Sequence, residues 1–154
     1  MDWALWFQWI MATTVGWVLG RFLFPNLAAV TIGIALGIMQ WFVLQHRIRN
    51  SWRWILVTIA GWTLGSTIVL GFPASGFELF GGLVIGGTTG LAQWFILRSE
   101  YHWSAWWIII NIVGWTTGMA LLPGLFLTGI EIGVLTGTAL ILLIRYPKNV
   151  LVQE

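Results

Sequence analysis

Long apolar runs with almost no charge dominate this sequence and limit what it can fold into. Of its 154 residues, 58% are hydrophobic and 8% are charged, whereas a soluble domain carries about 25% charged residues. So few charges cannot cover a 17.3 kDa globule in water. Disorder is excluded as well, because a disordered chain needs low hydrophobicity. The composition therefore predicts an integral membrane protein.

Six segments are predicted to cross the bilayer as helices, since about 20 apolar residues span a hydrocarbon core of about 30 Å. They are residues 3–20, 27–45, 54–72, 77–97, 104–122 and 125–144. The turns between them are short, so neighbours in sequence are expected to be antiparallel neighbours in space. No cleavable signal peptide is evident, and the first segment is expected to stay in the membrane as a helix.

Basic residues lie mostly on one side of the predicted membrane. The residues on that side are Arg47, Arg49, Arg53, Arg98, Arg145 and Lys148. The opposite side carries only Arg21. The positive-inside rule then predicts that both termini lie in the cytoplasm. The expected location is a bacterial inner membrane or a thylakoid. Most tryptophans lie near the same basic side, as indole prefers the membrane interface.

One helical hairpin is repeated three times along the chain. The copies cover about residues 1–49, 50–100 and 101–147 of a single transmembrane domain (1–154), followed by a short tail (148–154). The first helix of each copy carries a tryptophan, a small polar residue, a Gly-Trp pair and a glycine at identical spacing. The three sets are Trp9, Thr13, Gly16, Trp17, Gly20; Trp54, Thr58, Gly61, Trp62, Gly65; and Trp107, Asn111, Gly114, Trp115, Gly118. Chance is a poor explanation for three matching sets.

The second helix of each copy carries a stripe of glycines. The stripes are Gly33, Gly37 with Gln40-Trp41; Gly86, Gly90 with Gln93-Trp94; and Gly129, Gly133, Gly137, where Leu140 replaces the glutamine. Glycines four apart share one helix face, and small faces let apolar helices approach closely. Gly16, Gly61 and Gly114 are expected to do the same on the first helices. We therefore predict a compact, glycine-packed, all-α bundle of six transmembrane helices, with the second helices meeting near the centre and no wide pore.

Four polar residues inside the predicted spans are candidates for an intramembrane polar site: Glu131, Asn111, Gln40 and Gln93. Glu131 lies about 21 Å along its helix from Arg145. An acid at this depth points by default to a functional role, such as a solute or ion path. Alternatively it is protonated and donates a packing hydrogen bond. The amides either line a polar site or join helices, and their repetition favours the second role.

Histidines and deep tryptophans are candidate pigment contacts. His46 and His102 lie near the basic side, where imidazole can ligate chlorophyll or haem, or can simply lie among headgroups. Trp17, Trp62 and Trp115 could stack on a pigment or quinone, or fill the grooves beside glycines. The sequence leaves open whether chlorophyll, another pigment or a lipid is bound.

Several kinds of chemistry are excluded. The chain has no cysteine, which removes thiolate metal sites and cysteine nucleophiles. No metalloprotease, nucleophile-elbow or phosphate-loop motif occurs, so neither a catalytic nor a metal site is predicted. The net charge of +2 is too small for a nucleic-acid groove, which needs many phosphate contacts.

Two sequence elements recur along nearly the whole chain. They are a Gln-Trp-x-x-Leu-(Arg) element, at 40–44 and 93–98, and the Trp-Gly-Trp element at 106–118. Both resemble elements of a group of small Trp/Gly-rich repeat membrane proteins of cyanobacterial and Chloroflexi type. The third copy departs from that pattern by lacking Gln-Trp. The resemblance implies a membrane location and a repeat bundle, and it brings neither an activity nor site residues.

Three functions remain open. The preferred one is a non-enzymatic accessory or scaffold subunit that packs against a larger membrane complex or against a second copy, because small-residue stripes suit helix packing. The second is a channel or transporter for a small solute or ion, with Glu131 in the path. The third is a pigment- or lipid-binding membrane protein, as in a photosynthetic membrane. The expected partners are the lipid bilayer and other membrane subunits, without nucleic acid.

Overall fold

The computed structural model describes residues 2–72, 77–121 and 124–148. Within them the chain forms the helices α1 (Trp3–Leu23), α2 (Ala28–Leu44), α3 (Arg53–Leu70), α4 (Phe77–Glu100), α5 (Trp106–Ala120) and α6 (Leu125–Ile144). A single 3₁₀ turn over Pro25–Leu27 joins α1 to α2. The prediction of an all-helical chain with six helices is confirmed for these residues. Turns are also predicted at 72–76 and 123–124, and residues 73–76, 122–123 and 149–154 lie outside the described ranges.

Four of the helices are long and apolar enough to cross a membrane. These spans are Pro25–Leu44, Arg53–Leu70, Glu78–Glu100 and Leu125–Ile144. The remaining helices differ for separate reasons. α1 has 21 residues, but its four tryptophans, Gln8 and Arg21 lower its mean hydropathy. α5 is apolar but has only 15 residues.

Large apolar side chains cover the outer faces of the helices. Phe7, Leu56, Leu83 and Phe126 are each more than half exposed. Soluble monomers rarely expose large contiguous apolar patches. The outer surface therefore suits contact with lipid or with other apolar protein, as expected of a membrane protein.

The six helices form a closed ring. Each helix packs against the helices before and after it in the chain, and α6 returns to pack against α1. Because the helices alternate in direction, the first and last described residues and the connections α2–α3 and α4–α5 share one end. We call this the basic end, since it carries the six basic residues grouped above, and we call the opposite end, with Arg21 and Glu78, the Arg21 end.

Glycines lie where neighbouring helix backbones come closest within the first two hairpins. A Cβ atom added at Gly16 would lie 2.8 Å from the Cα of Leu36 on α2. One added at Gly61 would lie 2.7 Å from the Cα of Thr89 on α4. Any side chain here would collide with the facing backbone, so the approach of these helices depends on glycine.

The glycines of α2, α4 and α6 face the next helix in the ring. A Cβ atom added at Gly37 would lie 3.1 Å from the Cα of Ile55 on α3, and one added at Gly133 would lie 2.8 Å from the Cα of Ile10 on α1. Similar contacts with the next helix are made by Gly33, Gly86, Gly90, Gly129 and Gly137. The expectation that the second helices meet at the centre is therefore wrong, because their glycine faces seal the joints between hairpins.

Tryptophans from the first helices occupy the centre instead. Trp9, Trp54 and Trp107 form the basic-end triad, with ring centroids 5.8–6.0 Å apart and each ring edge-on to the others. The inner triad, which lies further from the basic end, consists of Trp17, Trp62 and Trp115, with centroids 4.7–5.9 Å apart. All six side chains are buried. Rings from equivalent positions of the three sequence copies thus pack together on the axis, and such edge-to-face contacts are favourable.

The third hairpin is more open than the first two. A Cβ atom added at Gly114 on α5 would lie 3.7 Å from Cδ1 of Leu135 and 3.8 Å from the Cα of Ile132 on α6. In the aligned copies, the place of Leu135 is taken by Ala35 and Thr88. The larger leucine side chain therefore stands between α5 and α6 and keeps their backbones apart.

Polar contacts tie the chain segments together at the basic end. Asp2 pairs with Arg47 at 3.4 Å, and the Tyr101 hydroxyl donates to the Arg47 carbonyl oxygen at 3.2 Å. The Lys148 ammonium donates to the Arg98 carbonyl oxygen at 2.6 Å. Burial, more than the nearby Glu100 carboxylate, raises the pKa of Tyr101, while the Arg47 guanidinium opposes the shift.

Candidate functional site

A band of neutral polar groups crosses the centre of the bundle beside the basic-end triad, and we call it the polar collar. Its members are Thr13, Gln40, Thr58, Gln93, Asn111, Thr136 and the three indole N–H groups of the triad. Every member is buried, with 0–6% of its surface exposed. Buried polar groups are costly unless they are paired, so their hydrogen bonds decide what the collar does.

The first glutamine joins three consecutive helices. Gln40 on α2 donates from Nε2 to the hydroxyl of Thr13 on α1 at 3.2 Å. Its Oε1 accepts from the indole N–H of Trp54 on α3 at 3.0 Å. One amide side chain thereby links its own hairpin to the next one.

The second glutamine repeats the same arrangement one hairpin further on. Gln93 on α4 donates from Nε2 to the hydroxyl of Thr58 on α3 at 3.0 Å. Its Oε1 accepts from the indole N–H of Trp107 on α5 at 2.9 Å. The same Nε2 also lies 3.4 Å from Oε1 of Gln40, so the two amides are in contact across the axis.

The third junction is closed differently, because Leu140 has no amide. The indole N–H of Trp9 donates to the hydroxyl of Thr136, one turn earlier on α6, at 2.9 Å. Thr136 in turn donates to the carbonyl oxygen of Ile132 at 2.6 Å. Asn111, which takes the place of Thr13 and Thr58, donates back to the Trp107 carbonyl oxygen at 2.9 Å. Its amide therefore bonds within α5 and joins no second helix.

The chemistry of the collar is that of a joint between helices. Its members are neutral amides, hydroxyls and indoles, so no group there can act as an acid, base or nucleophile near neutral pH. The two tryptophan triads fill the axis on either side of it. Within the described ranges, no group of three or more His, Asp or Glu side chains is placed to hold a metal ion.

Glu131 lies apart from the other three polar candidates. It holds in the third copy the place of Thr31, whose hydroxyl closes the first hairpin by donating to the Gly20 carbonyl oxygen at 2.7 Å. Glu131 is partly exposed, and its buried Oε2 has no hydrogen-bond partner among the described residues. The structure thus brings Gln40, Gln93 and Asn111 together but leaves Glu131 outside the collar.

Both candidate histidines are exposed at the basic end. His46 lies in the turn after α2, and His102 lies in the turn between α4 and α5. The backbone N–H of His102 donates to the carbonyl oxygen of Tyr146 at 2.9 Å. The deep tryptophans face each other in the inner triad, and two of them also lie beside glycines, with Trp62 next to Gly33 and Trp17 next to Gly129.

An apolar groove of about 460 Å³ runs between α5 and α6 at the basic end, and we call it the α5–α6 groove. Its lining is Trp103, Trp106, Ile110, Leu135, Thr138, Ala139, Leu142, Leu143 and Tyr146. The Thr138 hydroxyl accepts from the Trp6 indole at 3.1 Å and donates to the Val134 carbonyl oxygen at 2.7 Å. The hydroxyl inside the groove is thus already paired, and an occupant needs no hydrogen bond from it.

Two cavities open at the Arg21 end. They measure about 390 and 270 Å³ and share Trp17, Arg21 and Met119 in their walls. The Arg21 guanidinium lies 5.4 Å from the centroid of the Trp17 ring, within the range of a cation–π contact. Glu78 lines the larger cavity only. These openings end at the inner triad and do not continue through the bundle.

Sequence reasoning missed the α5–α6 groove and the convergence of the tryptophans. The sequence does contain an indication of the groove. Leu135 is larger than the residues at the aligned positions of the other copies, Ala35 and Thr88. A signal for the triads is present too. Large rings at matching positions of three copies must converge if the copies close into a ring.

The arrangement defines the molecule as a closed α-helical bundle of the membrane-protein class, with four helices long and apolar enough to span a bilayer. No family model, curated protein or solved structure matches the chain.

Proposed function

We propose that this chain is a non-enzymatic multi-pass membrane protein whose six helices all cross the bilayer as three hairpins. The 21 residues of α1 extend about 32 Å, enough for the hydrocarbon core. The 15 residues of α5 extend only about 22 Å. Because α5 packs in the ring between α4 and α6, we expect it to cross the bilayer as they do. The turns that adjoin it would then cover the rest of the bilayer thickness.

The orientation can be tested by labelling, because the chain contains no cysteine of its own. Single cysteines at exposed Asn26, on the Arg21 end, and at exposed Ser99, on the basic end, provide a matched pair. A membrane-impermeant maleimide should label Asn26→Cys in intact cells and Ser99→Cys only after permeabilisation. The reverse pattern, or labelling of both variants in intact cells, contradicts the proposed crossings.

We infer that the protein acts as an accessory or scaffold subunit that packs against a larger membrane complex or a second copy. The observation that carries this inference is the filled axis. Two tryptophan triads close it, and the collar amides of Gln40 and Gln93 are used in joining helices. A transport path along the axis has no room, which leaves the apolar outer surface as the part free to interact.

Gentle extraction followed by native mass measurement tests the scaffold function. The expected result is a particle heavier than the 17.3 kDa chain after correction for lipid and detergent, either a homo-oligomer or a complex with another subunit. Cross-linking in the membrane before extraction is the control for dissociation in detergent. A 17.3 kDa species in both measurements removes the proposal.

Binding of a hydrocarbon chain, from a lipid or a pigment, is the second candidate, and the α5–α6 groove favours it. The groove is apolar, and its end is framed by Trp103, Trp106 and Tyr146, each more than half exposed. Such aromatic side chains lie at the headgroup level, with an apolar ring and a polar tip. A chain lying in the groove would thus have its polar head at the basic end.

A groove-filling variant tests this second candidate. Ile110→Trp places a large ring in the groove, and Leu56→Trp places the same ring on an outer face away from the groove. The purified wild type and Leu56→Trp should retain lipid or pigment, detected by mass spectrometry and absorbance, and Ile110→Trp should lose it. Equal retention by all three proteins, or none by the wild type, excludes the groove as the site.

A further inference from the structure

A small polar cavity lies inside the bundle beside the polar collar. The cavity measures about 10 Å³ and lies on the axis between the two tryptophan triads. Its polar walls are Gln40, Thr58, Thr89, Gln93, Asn111 and Thr136. One ring of each triad, Trp107 and Trp115, lines it, and its volume admits nothing larger than a single water-sized molecule.

Two oxygen atoms in the cavity walls are not used by the protein. Thr89 is 2% exposed, and its buried hydroxyl has no hydrogen-bond partner among the described residues. Asn111 is 3% exposed and donates its amide N–H to the Trp107 carbonyl oxygen. Within the described ranges its carboxamide oxygen accepts no hydrogen bond. Leaving such groups unpaired in an apolar interior is costly.

The neighbouring Thr58 adds a hydrogen-bond donor to the cavity wall. Its hydroxyl oxygen accepts from Nε2 of Gln93 at 3.0 Å, which leaves its own O–H proton free to donate. The cavity therefore presents a donor, an acceptor, and the Thr89 hydroxyl, which can act as either. A buried water needs about 10–15 Å³ of room and two to four polar partners.

We propose that one water molecule is bound in this cavity, donating to Asn111 Oδ1 and hydrogen-bonded to the hydroxyls of Thr89 and Thr58. A metal cation does not suit the site, because no charged side chain lines the cavity and a buried cation without a counter-charge is strongly disfavoured. The water thus joins α3, α4 and α5 beside the amide of Gln93.

Valine substitutions of two buried threonines provide a test with a matched control. Thr14, like Thr89, is buried with an unpartnered hydroxyl, but it does not line the cavity. Valine keeps the shape of threonine and removes the hydroxyl. Thr14→Val removes an unpaired polar group, so its melting temperature should rise. Thr89→Val removes a partner of the bound water, so its melting temperature should fall.

A high-resolution map of the wild-type protein in lipid completes the test. The expected result is a density peak within hydrogen-bond distance of both Asn111 Oδ1 and Thr89 Oγ1. An empty cavity in that map overturns the proposal. So does a rise in the melting temperature of Thr89→Val equal to that of Thr14→Val, because the Thr89 hydroxyl would then be as unpaired as that of Thr14.

Discussion

The first two hairpins and the third follow one sequence pattern but close to different degrees. At Gly16 and Gly61 the facing backbone lies within 3 Å of an added Cβ atom, whereas at Gly114 the nearest atom is a leucine side chain at 3.7 Å. The same two hairpins have the glutamine, and the third has Leu140 in its place. The comparison teaches that a repeat can keep its fold through its shared positions and acquire a groove through a changed one, Leu135.

The largest expected effect comes from adding one methyl group to a closed and to an open hairpin. Gly61→Ala places a Cβ atom 2.7 Å from the Thr89 Cα and 2.8 Å from the Thr88 carbonyl oxygen. The free energy of unfolding should fall by about 1–3 kcal/mol, as for other overpacked cores. Gly114→Ala makes an ordinary contact, and alanine favours the helix by up to about 1 kcal/mol, so its stability should stay level or rise. Reversible unfolding in mixed detergent measures both, and equal losses would show that the third hairpin is not open.

A second pair of variants compares the glutamine junction with the threonine junction. Trp54→Phe leaves buried Gln40 Oε1 with only the long 3.4 Å contact from Gln93, which should cost about 1–3 kcal/mol beyond the smaller ring. Trp9→Phe leaves Thr136, which still donates to Ile132, so the loss should be smaller. Both variants remove the same ring volume, and the difference between their unfolding free energies isolates the hydrogen bond. A greater loss for Trp9→Phe contradicts this comparison.

The connections at the basic end carry a matched pair of their own. Asn50 in the first connection and Trp103 in the second occupy aligned positions, and both have left-handed backbones, with φ of 55° and 62°. Asparagine adopts this conformation at little cost, whereas it costs a tryptophan about 1–2 kcal/mol. Trp103→Asn should therefore stabilise the protein by about 1 kcal/mol, and Asn50→Trp should destabilise it by a similar amount. Thermal melting in detergent checks both, and a stability loss from Trp103→Asn would show that the Trp103 ring has a packing role.

The smallest effect is expected at Tyr101, which aligns with Ile48 of the first connection. Tyr101→Phe removes the hydrogen bond to Arg47 and should cost about 0.5–1.5 kcal/mol. The folded protein raises the pKa of Tyr101, so the unfolded chain releases this proton first. The stability due to the neutral hydroxyl is therefore present below pH about 10 and declines as the pH rises further. Unfolding titrations at pH 8 and above should show this decline in the wild type and a shallower one in Tyr101→Phe. The same slope in both proteins would assign the decline to other groups.

Much of the fold follows from the sequence, because the length of an apolar run and the spacing of its glycines determine where each helix lies along the chain. Residues 77–97 and 125–144 were predicted as helices, and α4 (Phe77–Glu100) and α6 (Leu125–Ile144) occupy those places. The direction in which a glycine face points was not predictable in this way. Helical spacing shows that Gly33 and Gly37 share a face, but the position of the bundle centre depends on all six helices at once.

The structure shows where the polar candidates lie, and their role as a functional site stays a prediction. Gln40, Gln93 and Asn111 were proposed together, and all three lie in the polar collar. Their hydrogen-bond partners were not proposed, because Trp54 and Trp107 belong to the following hairpin. Glu131 was proposed because of its depth as an intramembrane acid, although its place two residues from the glycine stripe indicated a different side of its helix.

The packing of the two tryptophan triads depends on the number of hairpins in the chain. Every copy gives one ring to each triad, so a chain stopped after two copies leaves both layers a third empty, with indole edges facing a void. Solenoid repeats lengthen or shorten by a unit because each unit touches only its neighbours. This architecture has no such freedom. Loss or gain of one copy would change the neighbours of every ring in both triads.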